Sequence, residues 1–173
     1  MRLVPCSFEK HGAAIQAIFN HEIAHSSALY EYVPRSTETI ETWFATKAAG
    51  AWPVIGAEEE DGTLMGFTTM GPFRPQPGYK YTAEHSIYIA KNFRGRGLGG
   101  ILLQEIIAQA IARDLHSLIG VIDQANLASV ALHQKHGFVL SGVMREAGFK
   151  FGRWLDAGFY QLMLPTPDSP CDG

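Results

Sequence analysis

The sequence predicts a single α+β domain built on a mixed sheet, and three observations carry that reading. Helix-period and strand-period stretches alternate along the 173 residues without an internal repeat. Two apolar runs, Pro53 to Ala57 and Leu64 to Met70, are joined through EEEDGT, whose Asp61-Gly62 pair signals an antiparallel hairpin. The elements never settle into strict strand-helix-strand units, so the sheet is not wholly parallel. With 46% hydrophobic residues, the chain suffices for one sizeable core and not for two.

The elements follow in order. Leu3 to Pro5 reads as a short strand, and Ser7 is placed to cap a helix whose Ile15, Ile18, Phe19 and Ile23 share a face. A second helix starts near Ser36 or Thr37, carries Ile40, Trp43 and Phe44, and stops at Gly50. Beyond the hairpin, Gly71 to Lys80 is a Pro/Gly-rich loop. Tyr81 to Ala90 is a longer strand in which Ile87 and Ile89 alternate with Ser86 and Tyr88. A helix from Leu98 to about Arg113 sets Leu103, Ile106, Ile107, Ala110 and Ile111 on one face. Leu118 to Ile122 is a buried-type strand, Asn126 to His136 a short helix, and Phe138 to Met144 and Gly158 to Leu164 the closing strands. The domain thus spans residues 1–164, and the tail 165–173, PTPDSPCDG, is expected to be disordered.

Composition excludes several classes of function. Fourteen Lys and Arg against 17 Asp and Glu give a net charge of -3, and the basic residues are scattered, so no nucleic-acid partner is expected. Cys6 and Cys171 lie near opposite ends and make neither a disulfide framework nor a Cys-based zinc site, which fits a reducing cytoplasm. Glu9, Lys10 and His11 interrupt any apolar leader early, and no stretch approaches a membrane span. A soluble, cytoplasmic protein without a membrane partner is the expectation.

The stretch NFRGRGLGGILL, Asn92 to Leu103, carries the chemistry. Closely spaced glycines leave backbone N–H groups unobstructed, and the following helix adds the partial positive charge of its N-terminus, so a pyrophosphate suits this loop. Gly95, Gly97 and Gly100 also satisfy the dinucleotide fingerprint, with Asp123 about where a ribose-binding acid would stand. Two features oppose that reading: four residues, Lys91 to Arg94, separate strand from first glycine, and Arg94 and Arg96 bring charge that a dinucleotide turn usually omits. A glycine-rich turn that only starts a helix is the plainest alternative.

RGRGLGG resembles the pyrophosphate loop of the GNAT acetyltransferases, with Arg94, Gly97 and Gly99 at the motif positions. NLASVALHQKHGF, Asn126 to Phe138, is similar to that superfamily's asparagine, helix and Gly-Phe signature. YTAEHSIYIAKNFRGRGLG and AGFKFGRWLDAGFYQLML resemble, within it, the phosphinothricin and methionine sulfone or sulfoximine N-acetyltransferases, from about Val4 to Leu164. The resemblance implies a mostly antiparallel twisted sheet in which two parallel strands splay to form a cleft for acetyl-CoA. It implies that Ile87, Tyr88 and Ile89 offer main-chain groups to the pantetheine arm. Arg94, Gly95, Arg96, Gly97, Leu98, Gly99 and Gly100 would hold the pyrophosphate, and Asn126 would bond near the acetyl end. On local sequence alone Asn126 reads equally well as a helix cap.

The same resemblance implies acetyl transfer to the amine of a small amino-acid-like acceptor. An α-amine titrates near pH 8, so a weak base acting through water is enough to free it. Glu84 is the candidate base. His133, seven residues after Asn126, is the candidate proton donor to the leaving thiol, or else a neutral histidine that holds its helix. The resemblance sets Arg74, Pro75 and Gln76 on one side of the acceptor and Glu84, His85 and Ser86 on the other, with Arg74 suited to a carboxylate. Tyr30, Tyr32 and Trp154 are candidate walls, and Phe149 stands where the family often has a tyrosine. A homodimer is implied, and no metal.

Two other classes compete. HEIAH, His21 to His25, satisfies the H-E-x-x-H zinc pattern, although Ala28 and Glu31 stand where an extended zinc motif needs Gly and His, leaving Glu38 or Glu41 as distant ligands. A non-catalytic acyl-CoA sensor would bind the cofactor and turn over no amine.

Overall fold

The structure, a computed structural model, describes residues 1–172. Four helices flank a seven-stranded sheet of order β1-β2-β3-β4-β5-β7-β6. The strands are β1 (Arg2–Pro5), β2 (Val54–Glu58), β3 (Leu64–Pro72), β4 (Thr82–Ile89), β5 (Ser117–Asp123), β6 (Val139–Lys150) and β7 (Arg153–Met163). The helices are α1 (Phe8–His25), α2 (Thr37–Ala49), α3 (Leu98–Ile111) and α4 (Leu127–Lys135). Ser7 and Ser36 cap α1 and α2 by accepting from the N–H three residues on, and Gly62, at φ 88, makes the turn between β2 and β3.

Every strand pair is antiparallel except β4 with β5, and that pair meets only over Thr82 to Glu84 against Ser117 to Ile119. A lone parallel pair in an antiparallel sheet is not the doubly wound sheet of a dinucleotide fold, which overturns the fingerprint reading of Gly95, Gly97 and Gly100. Beyond Glu84 the two strands part. Their separation is the structural basis of the cleft described below.

The sheet has a core on each face. Phe19, Ile15, Ile40 and Phe44 from α1 and α2 pack on Phe67 and Tyr88, with Phe19 set edge-on to Phe67 and Tyr88, each at 5.1 Å. Leu103, Ile106 and Ala110 of α3 pack with Met70, Ala83, Leu118 and Tyr160 on the other face. Alternation along β4 therefore sends Glu84, Ser86 and Tyr88 toward the first face and Ala83, His85 and Ile87 toward the second.

The last two strands are longer than their sequence implies, reaching Lys150 and starting at Arg153 across a turn in which Phe151 and Gly152 both have positive φ. β6 is an edge strand exposed over most of its length and broken by irregularities at Leu140/Gly142 and Met144/Gly148, so neither burial nor a period of two marks it. The segment after β7 has no regular element through residue 172; Thr166 Oγ1 donates to Leu115 O at 2.6 Å and Cys171 N to the Tyr81 hydroxyl at 3.2 Å.

Glu58, fully buried at the end of β2, binds Arg2 at 3.0 Å, Lys10 at 2.7 Å and His11 at 2.8 Å. Lys10 above all, then His11, hold its carboxyl down to about 2. A depressed carboxyl stabilises the fold above its unfolded pKa and loses that contribution as pH falls toward the folded one. Thermal melts should therefore show the native chain losing stability between about pH 4.5 and pH 2 more steeply than Glu58→Gln, which is less stable at neutral pH.

Candidate active site

Where β4 and β5 part, a cleft of about 980 Å³ runs between the two faces of the sheet. Ile87, Tyr88 and Ile89 line one wall, Gly120 to Asp123 the other, and the loop residues Arg94, Gly95, Gly97, Leu98 and Gly99 close one end. The loop is built from backbone. Gly95 and Gly97 have φ of 76 and 79, values that L side chains rarely adopt, and a Cβ on either would meet nothing within 4 Å. Gly97 caps α3 without a side-chain bond, and no acidic residue stands in the first turn. Among the described residues the N–H groups of Gly95 through Gly99 donate to no backbone carbonyl outside the regular elements, whereas that of Gly100 bonds Gly97 O at 3.1 Å. Free N–H groups converging at a helix N-terminus fit a pyrophosphate.

Of the two loop arginines, Arg94 is ion-paired to the buried Glu22 and donates to Ile89 O at 3.2 Å, so its side chain ties α1 to the loop. Arg96 reaches Glu59 at 3.7 Å and does not line the cleft. Glu22 is the glutamate of HEIAH. With that glutamate committed to Arg94, His21 and His25 stack on each other at 4.5 Å, and no three His, Cys, Asp or Glu among the described residues are grouped to hold a metal. The zinc reading thus lacks both its base and its third ligand.

Asn126 lines the cleft and caps α4, its Oδ1 accepting from Ser129 N at 3.2 Å. His133, buried on the same helix, donates from Nδ1 to Ser129 O at 2.7 Å, because a carbonyl only accepts. The neutral ring then presents a bare Nε2. Burial pushes the His133 pKa down, so the imidazolium that a proton donor needs is disfavoured, and the geometry matches a histidine that holds its helix.

Glu84 lies at the last paired residue of the parallel pair, lining the cleft from the α1 and α2 face. Burial raises its pKa, against the opposing pull of the Arg74 and Lys47 charges. Ser86 shares that face. His85 does not: it points to the opposite face, stacked on His133 at 5.1 Å and beside Phe138, with neither ring nitrogen hydrogen-bonded and its pKa pushed down to about 3 by burial. Gly120 makes this packing possible, since a Cβ there would meet both Nε2 atoms at 3.1 Å. Arg74, Pro75 and Gln76 are exposed and do not line the cleft; Arg74 donates to Phe73 O at 2.9 Å and lies over the Phe73 ring. Tyr30 is a wall residue, whereas Tyr32 donates to Phe149 O at 2.6 Å and Trp154 packs on Phe149 at 5.0 Å.

Two wall residues, Arg153 and Lys47, escaped the sequence reading, and a third, Asp123, enters it only as a ribose-binding acid. Asp123 accepts from Ser27 and from Arg153 at 3.3 Å, anchoring the loop after α1. Arg153 lines the wall with it. Lys47 lines the acceptor face, donating to Met70 O at 2.8 Å. It had a signal: position 47 continues the buried stripe of Ile40, Trp43 and Phe44, where a cation is out of place.

A cleft between splayed parallel strands, closed by a glycine-rich helix start with no side-chain cap and flanked by the half-buried Glu84, fits an enzyme that binds a nucleotide-bearing thioester. The acetyltransferase (GNAT) family profile matches residues 17–138, and the chain belongs to that family. It is an acetyl-CoA-dependent N-acetyltransferase. The chain is 40% identical over 157 residues to a methionine sulfoximine/methionine sulfone acetyltransferase of Pseudomonas aeruginosa, covering 90% of this chain and 91% of that one. An acetyltransferase structure from Acinetobacter baylyi ADP1 superposes with a TM-score of 0.98 at 51% identity, covering 99% and 96% of the two chains. A phosphinothricin acetyltransferase of Sinorhizobium meliloti, solved with acetyl-CoA, gives 0.90 at 33% identity over 94% and 88%.

Proposed function

We propose that the chain acetylates the free α-amine of a small amino-acid-like acceptor, of the methionine sulfoximine, methionine sulfone or phosphinothricin type. One observation carries the reading: Glu84, a half-buried carboxylate with a raised pKa, faces the cleft where the parallel strands part. The names and identities of the relatives support the acceptor class.

Acetyl-CoA, when bound, supplies the thioester whose acetyl group is transferred. Its pyrophosphate would be held by the N–H groups of Gly95 to Gly99, its pantetheine by the free main-chain edge of Ile87 to Ile89, and its acetyl end would lie near Asn126. An ammonium must lose one proton to become nucleophilic and a second as the amide forms. Glu84 takes the first, directly or through water, in a site where burial brings its pKa closer to working pH. The second proton would pass to water, which would return one to the leaving sulfur, so that each transfer releases one proton net. His133 orders α4 and the wall, with Nε2 as an acceptor. Ser86 lines the acceptor side with Glu84, and Arg74, Pro75 and Gln76 form its outer rim.

The exposed apolar row of β6, with Val139, Leu140, Val143 and Met144, supports a homodimer through that edge, and the scarcity of cysteine supports a cytoplasmic setting.

Thiol release from acetyl-CoA should be measured against methionine sulfone, methionine sulfoximine, phosphinothricin, ordinary amino acids, polyamines and a histone-like peptide. Turnover concentrated on the first three is expected. Preference for polyamines or peptide overturns the acceptor class, and acetyl-CoA binding without turnover on any acceptor favours the sensor.

A further inference from the structure

Four cations line the cleft: Arg35, Lys47, Arg94 and Arg153. Three are already neutralised, Arg35 by Glu31 at 2.5 Å, Arg94 by Glu22, and Arg153 by Asp123 at 3.3 Å. Lys47 is ion-paired to no carboxylate among the described residues, and Met70 O at 2.8 Å is its one hydrogen-bond partner there. An ammonium has three donors, so two stay available.

The place of this ammonium is fixed by register. Glu84 pairs across the sheet with Gly71, and directly opposed residues present their side chains on the same face about 5 Å apart. Gly71 has no side chain, and Lys47 Nζ fills that space, 3.2 Å from where a Cβ would be. The cation therefore stands beside the candidate base. In an α-amino acid the nitrogen and the carboxyl carbon share one Cα and are about 2.5 Å apart. A residue that frees the amine and a residue that binds the carboxylate must be neighbours, and Glu84 and Lys47 are.

Resting on the acceptor class proposed above, we infer that Lys47 is the cation that receives the acceptor's α-carboxylate. The alternative, Arg74, is outside the cleft wall and turned onto Phe73. Arg153 lies across the cleft at the end of β5 and is spoken for by Asp123. Burial pushes the Lys47 pKa down to about 8 against the opposing pull of the Glu84 charge, and an arriving carboxylate would add to that pull.

The test compares methionine sulfone with its decarboxylated amine, which keeps the sulfone and the amine. The wild-type chain should prefer the amino acid in kcat/KM by about 10- to 100-fold, the value of a charged hydrogen bond. Lys47→Met, which keeps the unbranched chain against Trp43, should erase that preference through KM for the amino acid. The KM for acetyl-CoA should be unchanged, any effect of the lost charge on Glu84 acts on both acceptors alike and cancels in their kcat/KM ratio, and Lys47→Arg should restore part of the preference. A preference that survives in Lys47→Met and vanishes in Arg74→Met overturns the assignment while leaving the acceptor class standing. Calorimetric titration of methionine sulfone into the protein with CoA reads the same assignment without turnover: binding lost in Lys47→Met supports it, and equal binding sinks it. Neither turnover nor binding in the wild-type chain overturns the acceptor class and the assignment together.

Discussion

Glutamine in place of Glu84 is expected to lower kcat by about 100- to 10,000-fold and to leave acetyl-CoA affinity unchanged. The substitution keeps the shape and one acceptor oxygen but cannot take a proton at working pH. Glu84 lies on the α1 and α2 face, while in the proposed site the thioester would be held by the main chain of the same strand and by the loop before α3, so the two functions would separate by face. Steady-state kinetics beside calorimetric CoA binding would measure both. Lost affinity with preserved kcat would remove Glu84 from the role of base. The acid side of the pH profile gives a second reading. Burial raises the Glu84 pKa, so activity should fall off at a pH above the ordinary carboxylate value of 4.5. Lys47 pulls that pKa down, so Lys47→Met should move the acid limb higher still.

What the sequence disclosed follows from which forces act locally. Caps, glycine stops and the Asp61-Gly62 turn are satisfied within a few residues, so α1, α2 and the β2-β3 hairpin were legible almost to their ends. The edge strand β6 was not, because a largely exposed strand with irregular pairing carries no burial pattern. The glycine loop was legible for a related reason: positive φ and unobstructed N–H groups are properties of glycine itself. The side chains of the site were harder. Whether His85 belongs with Glu84 depends on strand parity, and adjacent residues on β4 necessarily face opposite ways. Asp123 and Arg153 are 30 residues apart and meet only because β5 pairs with β7. The H-E-x-x-H match misleads since a five-residue pattern on a helix says nothing of the arginine, 72 residues on, that claims its glutamate.

Valine at Gly97 should produce the complementary failure. At φ 79 a β-branched residue is a steric outlier, so the chain must either bear about 1–2 kcal/mol of strain or rotate the peptide. Rotation turns N–H groups away from the phosphates, and each charged hydrogen bond lost is worth about 1.5–3 kcal/mol, so two lost raise the KM for acetyl-CoA by at least about 100-fold. At saturating acetyl-CoA, kcat and the acceptor KM should hold, because Glu84 and Lys47 lie on the far side of β4 from this loop's helix. Gly100→Ala separates backbone geometry from mere crowding. That glycine lies in the first turn of α3, its N–H is already used, and a Cβ would make an ordinary 3.5 Å contact with His136. Alanine there should leave acetyl-CoA binding intact and raise the melting temperature slightly through its helix propensity. Equal loss of acetyl-CoA affinity in both variants would mean that the start of α3 needs small residues for access. Loss confined to Gly97→Val would mean that the positive-φ backbone is the anion site.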